Sequence, residues 1–191
     1  MMTEAELLIA IHKGIRQANN NIDKWSGGCY FLTDAAAEGF MVTHIARAIK
    51  MYHNNPPPFL LVEPLVKKLK EDSGRSQYLG RPIAALNKLK RVDLAILNNA
   101  WQLKYVIEAK CSAWSDYACT RDLTRLIKMQ NDFSKKYKET AMQAGIFAMF
   151  VHSYSKNGIK DAKKNLKDKL ADWENRINNF ISENYQNNGN N

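Results

Sequence analysis

Two short apolar segments in the middle of the chain restrict its fold more than any other feature. The first runs over Arg91–Leu97 and the second over Leu103–Cys111. Between them stand Asn98, Asn99 and Ala100, and asparagine is common in the tight turns that join antiparallel strands. The two segments are strand-length and end at turn residues, so the pattern predicts a β-hairpin at the centre of the chain.

Helical periodicity flanks this hairpin on both sides. We predict helices over Glu4–Ala18, from Thr33 or Asp34 to Tyr52, over Leu60–Glu71, Thr120–Tyr137 and Asp161–Ile181, and a further strand over Gly145–Tyr154. The polar segment Ser73–Lys90 is interpreted as a loop. Helices, a hairpin, a helix, a strand and a last helix in this order indicate an α/β fold, in which a mixed sheet carries helices on its faces.

Composition favours one globular domain. The chain has 191 residues, 45% of them hydrophobic, as in ordinary globular proteins. We expect a single domain over residues 1–185 and a disordered tail over 186–191, where asparagine dominates. No apolar run approaches the roughly 20 residues that span a bilayer. Three cysteines without a CxxC pair fit a reducing compartment, so we expect a cytoplasmic protein without membrane association.

The chain is strongly basic. Its 28 lysines and arginines exceed its 19 acids, which gives a formal charge of +9. A polyanionic partner such as nucleic acid is therefore favoured, although a basic protein without such a partner has the same composition. The candidates for phosphate contacts lie on the predicted helix after the hairpin and in the predicted loop: Arg121, Arg125, Lys128, Arg75 and Arg81. For the helical candidates a solvated surface is the alternative.

Three of the charged residues in the apolar hairpin are candidates for chemistry. The pleat of a strand places Glu108 and Lys110 on the same face, and Asp93 interrupts the neighbouring strand. A tight hairpin brings these side chains together at one end of the sheet. Glu38 falls in the middle of the apolar stripe of its predicted helix. Charged groups in apolar surroundings are costly unless they are paired or bind a metal.

This arrangement suits metal-assisted hydrolysis of phosphodiesters. Mg²⁺ prefers oxygen ligands and commonly uses one or two carboxylates, which Asp93 and Glu108 would supply. A neighbouring lysine can orient the attacking water and stabilise the charge of the transition state, and Lys110 is placed to do so. The alternative is an ordinary ion-pair network, in which the two acids pair with Lys104, Lys110 or Arg91.

The order of these residues resembles the PD-(D/E)xK nuclease superfamily, whose fold is restriction-endonuclease-like. The resemblance rests on a helix glutamate at Glu38, on Asp93 in one strand, and on Glu108, Ala109 and Lys110 in the next, followed by a helix and a strand. It covers residues 33–154, so the first and last predicted helices lie outside the shared core. Val92 stands where the motif has proline, which leaves the subfamily open.

The resemblance implies a divalent-metal-dependent nuclease that cleaves DNA, with RNA as the alternative substrate. Asp93 and Glu108 would bind Mg²⁺ or Mn²⁺ together with the main-chain carbonyl of Ala109, and Lys110 would assist the nucleophilic water. Glu38 would add a further metal ligand or contact one, and the alternative for Glu38 is an ion pair with a lysine of the core. Cleavage of both strands would call for a homodimer. Two alternatives remain open: a nucleic-acid-binding or assembly protein on an inactive nuclease scaffold, and an interaction domain in which the motif arose by chance.

Overall fold

A computed structural model describes residues 2–33, 37–52, 59–72, 91–111, 116–134 and 142–186. These ranges contain five helices and four strands. In chain order they are α1 (Glu4–Trp25), α2 (Glu38–Met51), β1 (Phe59–Val62), α3 (Val66–Asp72), β2 (Leu94–Leu97), β3 (Leu103–Lys110), α4 (Asp116–Ser134), β4 (Ala144–Met149) and α5 (Ile159–Gln186). The predicted α/β class, a mixed sheet flanked by helices, is confirmed.

The sheet has the strand order β1-β2-β3-β4. The first three strands are antiparallel, and β4 joins β3 in parallel. The predicted hairpin is β2–β3, and its turn is fastened by Asn98, whose Oδ1 accepts the N–H groups of Ala100 and Gln102 at 3.0 and 2.9 Å. Because β3 and β4 run in the same direction, both end at the same edge of the sheet, beside Lys110 and Met149.

Each face of the sheet buries one hydrophobic core. Tyr105, Ile107 and Ala109 of β3 pack with α1 and α2, whereas Val106 packs with α3 and α4 on the opposite face. From Tyr105 to Ala109 this alternation follows the predicted pleat and assigns Val106 and Glu108 to the α4 side. Leu103 also packs in the core of Val106, next to an irregularity in the β2–β3 register between Ile96 and Leu97. The close approach of α1 to α2 depends on Gly14, where a Cβ atom would lie 2.5 Å from the Cα of Ile45.

The predicted start of α2 was wrong. The helix begins at Glu38, after Ala37, which provides no side-chain cap. Thr33 was expected to cap the helix, but its hydroxyl is hydrogen-bonded to Nδ1 of His152 at 2.8 Å. A partner 119 residues away in the chain therefore determines the role of this side chain. Asp34, the other predicted cap, lies outside the described residues.

The single helix predicted over Leu60–Glu71 was also wrong. The segment begins as the edge strand β1 and becomes helical only at Val66. Glu63, which follows the strand, has a positive φ of 48°, and its N–H donates to the carbonyl of Asp93 at 2.8 Å. Pairing with β2 holds this strand in place, and such pairing leaves no local pattern in the sequence.

The remaining elements differ from the predictions mainly in length. The first helix continues to Trp25, past the asparagines that were expected to end it, and β4 is shorter than predicted. The last helix extends through Gln186, the first residue of the predicted tail. The predicted loop Ser73–Lys90 and residues 187–191 lie outside the described ranges. Within those ranges, no helix combines the length and apolarity needed to cross a membrane.

Candidate active site

Asp93 and Glu108 lie beside each other where the hairpin reaches the edge of the sheet. Leu94 is paired with Ile107, so the next residues outward on the two antiparallel strands are Asp93 and Glu108. Asp93 accepts a hydrogen bond from the backbone N–H of Ala109, with 2.7 Å between N and Oδ2. Glu108 is 1% exposed. The two predicted acids and the backbone of Ala109 are therefore brought together.

Lys110 connects this edge to two helices. Its Nζ lies 2.9 Å from Oε1 of Glu38, the first residue of α2, and 3.0 Å from Oδ2 of Asp122 on α4. The lysine side chain is only 14% exposed. The predicted proximity of Glu38 to Lys110 is thus present, although Glu38 is the first residue of α2 and not an interior residue of a helix that begins at Thr33 or Asp34.

Arg125 was expected to contact phosphate, and the structure places it elsewhere. Its guanidinium donates to Oε1 of Glu108 at 2.6 Å and to Oδ1 of Asp122 at 3.0 Å, and its side chain is 13% exposed. A third bond goes to the carbonyl of Arg91 at 3.0 Å. The inward orientation follows from the packing of α4 on the face of the sheet that carries Glu108.

The other basic candidates remain on the surface or lie outside the described chain. Lys128 is exposed, and the side chain of Arg121 is 57% exposed, with its Nε 3.7 Å from Oδ1 of Asp122. Both residues keep their charge near solvent on α4. Arg75 and Arg81 fall outside the described residues.

Asp122 is the site residue that the sequence analysis missed. It is 1% exposed and contacts both cations of the site. At 100° per residue it shares the apolar stripe of α4 with Leu126, Met129 and Phe133, all of which are buried. The stripe test that singled out Glu38 on α2 would have found Asp122 on α4.

We call the resulting group the charged cluster. Its members are Glu38, Asp93, Glu108, Lys110, Asp122 and Arg125. Four carboxyl groups face two cations, so the formal charge of the fully ionised cluster is 2 − 4 = −2. Charge in partly buried surroundings is costly unless it is compensated. Within the part of the chain that the structure describes, the cluster is therefore short of positive charge.

Burial and neighbouring charges both shift the pKa values of the cluster. Burial raises the pKa of Glu108 to about 8, despite the opposing effect of Arg125. Burial also raises the pKa of Asp93, although the hydrogen bond from Ala109 acts against it. For Lys110, burial alone would lower the pKa, but the hydrogen bonds to Glu38 and Asp122 outweigh it and the pKa is raised. The lysine therefore stays protonated near neutral pH.

Comparison with family models, curated proteins and solved structures finds no match to this chain.

The donors available at the site itself are hard oxygen atoms. Within the described ranges, no three Asp, Glu, His or Cys side chains form a ready-made metal cage. Mg²⁺ does not require one, because one or two carboxylates suffice when water and substrate oxygens complete the coordination. Asp93 and Glu108 fit that requirement in number and in donor type.

Proposed function

We propose that this protein is a divalent-metal-dependent nuclease that hydrolyses phosphodiester bonds of DNA, on a restriction-endonuclease-like fold. The observation that carries the proposal is the convergence of Asp93, Glu108 and Lys110 at one edge of the sheet. The excess of carboxylates over cations in the charged cluster supports binding of a cation. The formal charge of +9 favours a polyanionic substrate.

In this proposal Asp93 and Glu108, with the carbonyl of Ala109, would hold Mg²⁺ or Mn²⁺. A divalent cation bound there supplies neutralisation of phosphate charge and acidification of a water molecule. Lys110 contributes a protonated Nζ, because its raised pKa keeps the amine charged. It can therefore orient a water or donate to a phosphate oxygen, but it is a poor general base at neutral pH.

Glu38 and Asp122 act on Lys110 from two sides. Both carboxylates lie within 3.0 Å of its Nζ, so they fix the position of the ammonium group at the strand end. Asp122 is almost fully buried, whereas 40% of the Glu38 side chain is exposed. Glu38 is thus the partner that is open to solvent, and it is the one that could exchange Lys110 for a ligand.

A second function is favoured by one specific contact. The guanidinium of Arg125 lies 2.6 Å from Glu108 and occupies a carboxylate that the nuclease needs as a metal ligand. On this basis the alternative is a nucleic-acid-binding or assembly protein on a catalytically inactive nuclease scaffold. It predicts DNA binding that is sensitive to salt and no cleavage with any divalent metal.

A cleavage assay separates the two functions. Plasmid, linear duplex and single-stranded DNA are incubated with the full chain in Mg²⁺, in Mn²⁺ and in a chelator. The nuclease requires metal-dependent products that are lost in Asp93→Asn and in Glu108→Gln. These substitutions keep a side-chain oxygen that can accept the hydrogen bonds from Ala109 and Arg125, so they remove charge with little change in shape.

Two further variants sharpen the assay. Lys110→Met is expected to lower the turnover number by at least about 100-fold, the usual loss when one stabilising donor of a transition state is removed. Asp172→Asn, in an exposed ion pair on α5, should cleave like the wild type. Cleavage that survives in both Asp93→Asn and Glu108→Gln would refute the assignment of the metal ligands.

A further inference from the structure

Two stacked rings lie outside the charged cluster, and one of them is exposed. The rings of Phe31 and His152 have centroids 5.1 Å apart and an interplanar angle of 20°. Thr33 fixes the imidazole through a hydrogen bond to Nδ1 at 2.8 Å. Phe31 is 41% exposed, so a flat aromatic group remains in contact with solvent. We call Phe31 and His152 the ring pair.

The backbone places the ring pair at the same edge of the sheet as the proposed active site. The N–H of Phe150 donates to the carbonyl of Lys110 at 2.8 Å, and His152 follows two residues later. Two extended residues span about 7 Å. On the other side, Thr33 precedes Glu38 by five residues, and Glu38 contacts Lys110. Both halves of the ring pair are therefore tied to the strand end that carries Lys110.

The chain that follows the ring pair is basic. Between residues 156 and 169 there are six lysines and two aspartates. All six lysines are exposed, and Lys169 donates to the carbonyl of His152 at 3.4 Å, which brings this stretch of α5 back to the rings. Two more aromatic side chains adjoin the pair in sequence, Tyr30 with 59% and Tyr154 with 73% exposure.

We infer that the ring pair is a stacking platform for an unpaired base of single-stranded DNA. Proteins that bind single strands combine basic residues along the backbone with aromatic rings on which bases stack, and both features meet here. A base inside a duplex is covered by its neighbours and cannot reach Phe31, so the platform favours single strands or frayed ends. The delivery of a phosphate to Asp93 and Glu108 rests on the proposed function, whereas the stacking does not.

Binding without metal tests the platform independently of cleavage. The full chain is titrated in a chelator with a single-stranded oligonucleotide that contains 2-aminopurine, whose fluorescence is quenched when it stacks. Phe31→Ala should weaken binding by about 5- to 150-fold, the range expected for the loss of one stacked base. The quenching of 2-aminopurine fluorescence that the wild type causes on binding should be lost in this variant. Phe31→Trp should preserve both. Circular dichroism and thermal unfolding verify that each variant is folded.

The matched control is a second stacked pair at the far end of β3. The rings of Phe59 and Trp101 lie 3.9 Å apart at 26°, and Trp101 is 43% exposed. An eight-residue strand separates this pair from Lys110 by about 25 Å. Trp101→Ala should therefore bind the oligonucleotide like the wild type. Equal weakening in Phe31→Ala and Trp101→Ala would overturn the assignment of the platform.

Other outcomes are equally decisive. Unchanged affinity and quenching in Phe31→Ala, tighter binding of duplex than of single strand, or preference for an RNA of the same sequence would each overturn the inference. Metal-dependent cleavage of single-stranded DNA that requires Asp93, with binding and quenching unchanged in Phe31→Ala, would preserve the nuclease and reject the platform. Stacking on Phe31 without cleavage in any metal would do the reverse.

Discussion

Replacing Asp122 by alanine should destabilise the folded protein by about 3 kcal/mol. The carboxylate is 1% exposed, and its oxygens lie 3.0 Å from Lys110 and from Arg125, whose side chains are 14% and 13% exposed. Removal of one member of a buried ion pair usually costs about 3–5 kcal/mol, because a charge is left without compensation. The lower end applies here, since Lys110 keeps Glu38, Arg125 keeps Glu108 and the loss of one of four carboxylates relieves repulsion of Asp93 and Glu108.

Urea unfolding followed by tryptophan fluorescence measures this loss, and thermal unfolding provides a second measurement. At about 2–4 °C per kcal/mol for a chain of this size, the midpoint should fall by about 6–12 °C. The control is Asp172→Ala. Asp172 has a similar contact, 2.9 Å from Nε of Arg176, but their side chains are 56% and 52% exposed, so its removal should cost less than about 1 kcal/mol.

The comparison between the two aspartates is what can refute the reasoning. A loss below about 1 kcal/mol in Asp122→Ala, equal to that of Asp172→Ala, would mean that burial does not strengthen the contacts of Asp122. Asp122→Asn separates charge from shape, because it keeps the volume and one acceptor oxygen. The stability of Asp122→Asn should lie close to that of Asp122→Ala if charge carries most of the effect.

Three further predictions follow from other parts of the structure. In a chelator, the free energy of unfolding should fall between about pH 5 and pH 8 by at most about 1.4 kcal/mol per pH unit for one carboxyl. The reason is that burial raises the pKa of Glu108 to about 8, so the folded protein binds more protons than the unfolded chain. Urea titrations that show stability rising with pH would contradict this. Mg²⁺ should reduce the loss of stability with pH. Gly14→Ala should destabilise the protein by about 1–3 kcal/mol, because its Cβ would meet the backbone of Ile45 at 2.5 Å. The control is Gly39→Ala, whose Cβ meets nothing within 4 Å and should not destabilise. Equal unfolding midpoints for the two variants would refute the close packing of α1 on α2. Burial raises the pKa of Cys111 to about 12, and Cys119 is buried while Cys29 is exposed. A thiol reagent should therefore label Cys29 alone in the folded protein. Rapid labelling of Cys111, measured by mass spectrometry, would contradict its buried position.

The central hairpin could be predicted because its signals are local. The asparagine turn lies between two strand-length apolar segments, and Asn98 bonds to backbone groups within four residues of itself. The pleat then fixes which side chains of β3 share a face, whatever packs on them. The proximity of Glu108 to Lys110 follows from that geometry alone, and this part of the candidate site required no knowledge of the tertiary structure.

Features that depend on distant partners were not predictable in the same way. β1 is a four-residue edge strand, held by pairing that runs from Phe59 opposite Leu97 to Val62 opposite Leu94. Nothing within such a short segment distinguishes it from the start of a helix. Thr33 has the chemistry of a helix cap, yet its hydroxyl is bonded to His152. In both cases a contact made only in the folded chain outweighed the local preference.

Arg125 and Asp122 show a third situation. The helical projection of α4 indicated that both residues lie on the side that faces the sheet, but the interpretation of Arg125 considered only its charge. Three basic residues on one helix suggested phosphate contacts, but the faces of α4 differ in their surroundings. Asp122 shares the stripe of Leu126 and Met129, so the side of α4 that carries it faces the sheet, and Arg125 lies one turn further along that side. The projection of a helix therefore has to be applied to charged residues as well as to apolar ones.

The charge balance of the cluster links its raised pKa values to the proposed metal. Among the described residues, Lys110 and Arg125 are the partly buried cations of the cluster. Arg121, 57% exposed and 3.7 Å from Asp122, is too well solvated to compensate the excess acid. A proton on Glu108 can do so only below about pH 8. A divalent cation would replace that proton and remove the pH limit. Burial, with the excess of carboxylate, therefore accounts for the raised pKa of Glu108 and for the expectation that the site binds Mg²⁺ more tightly as the pH rises.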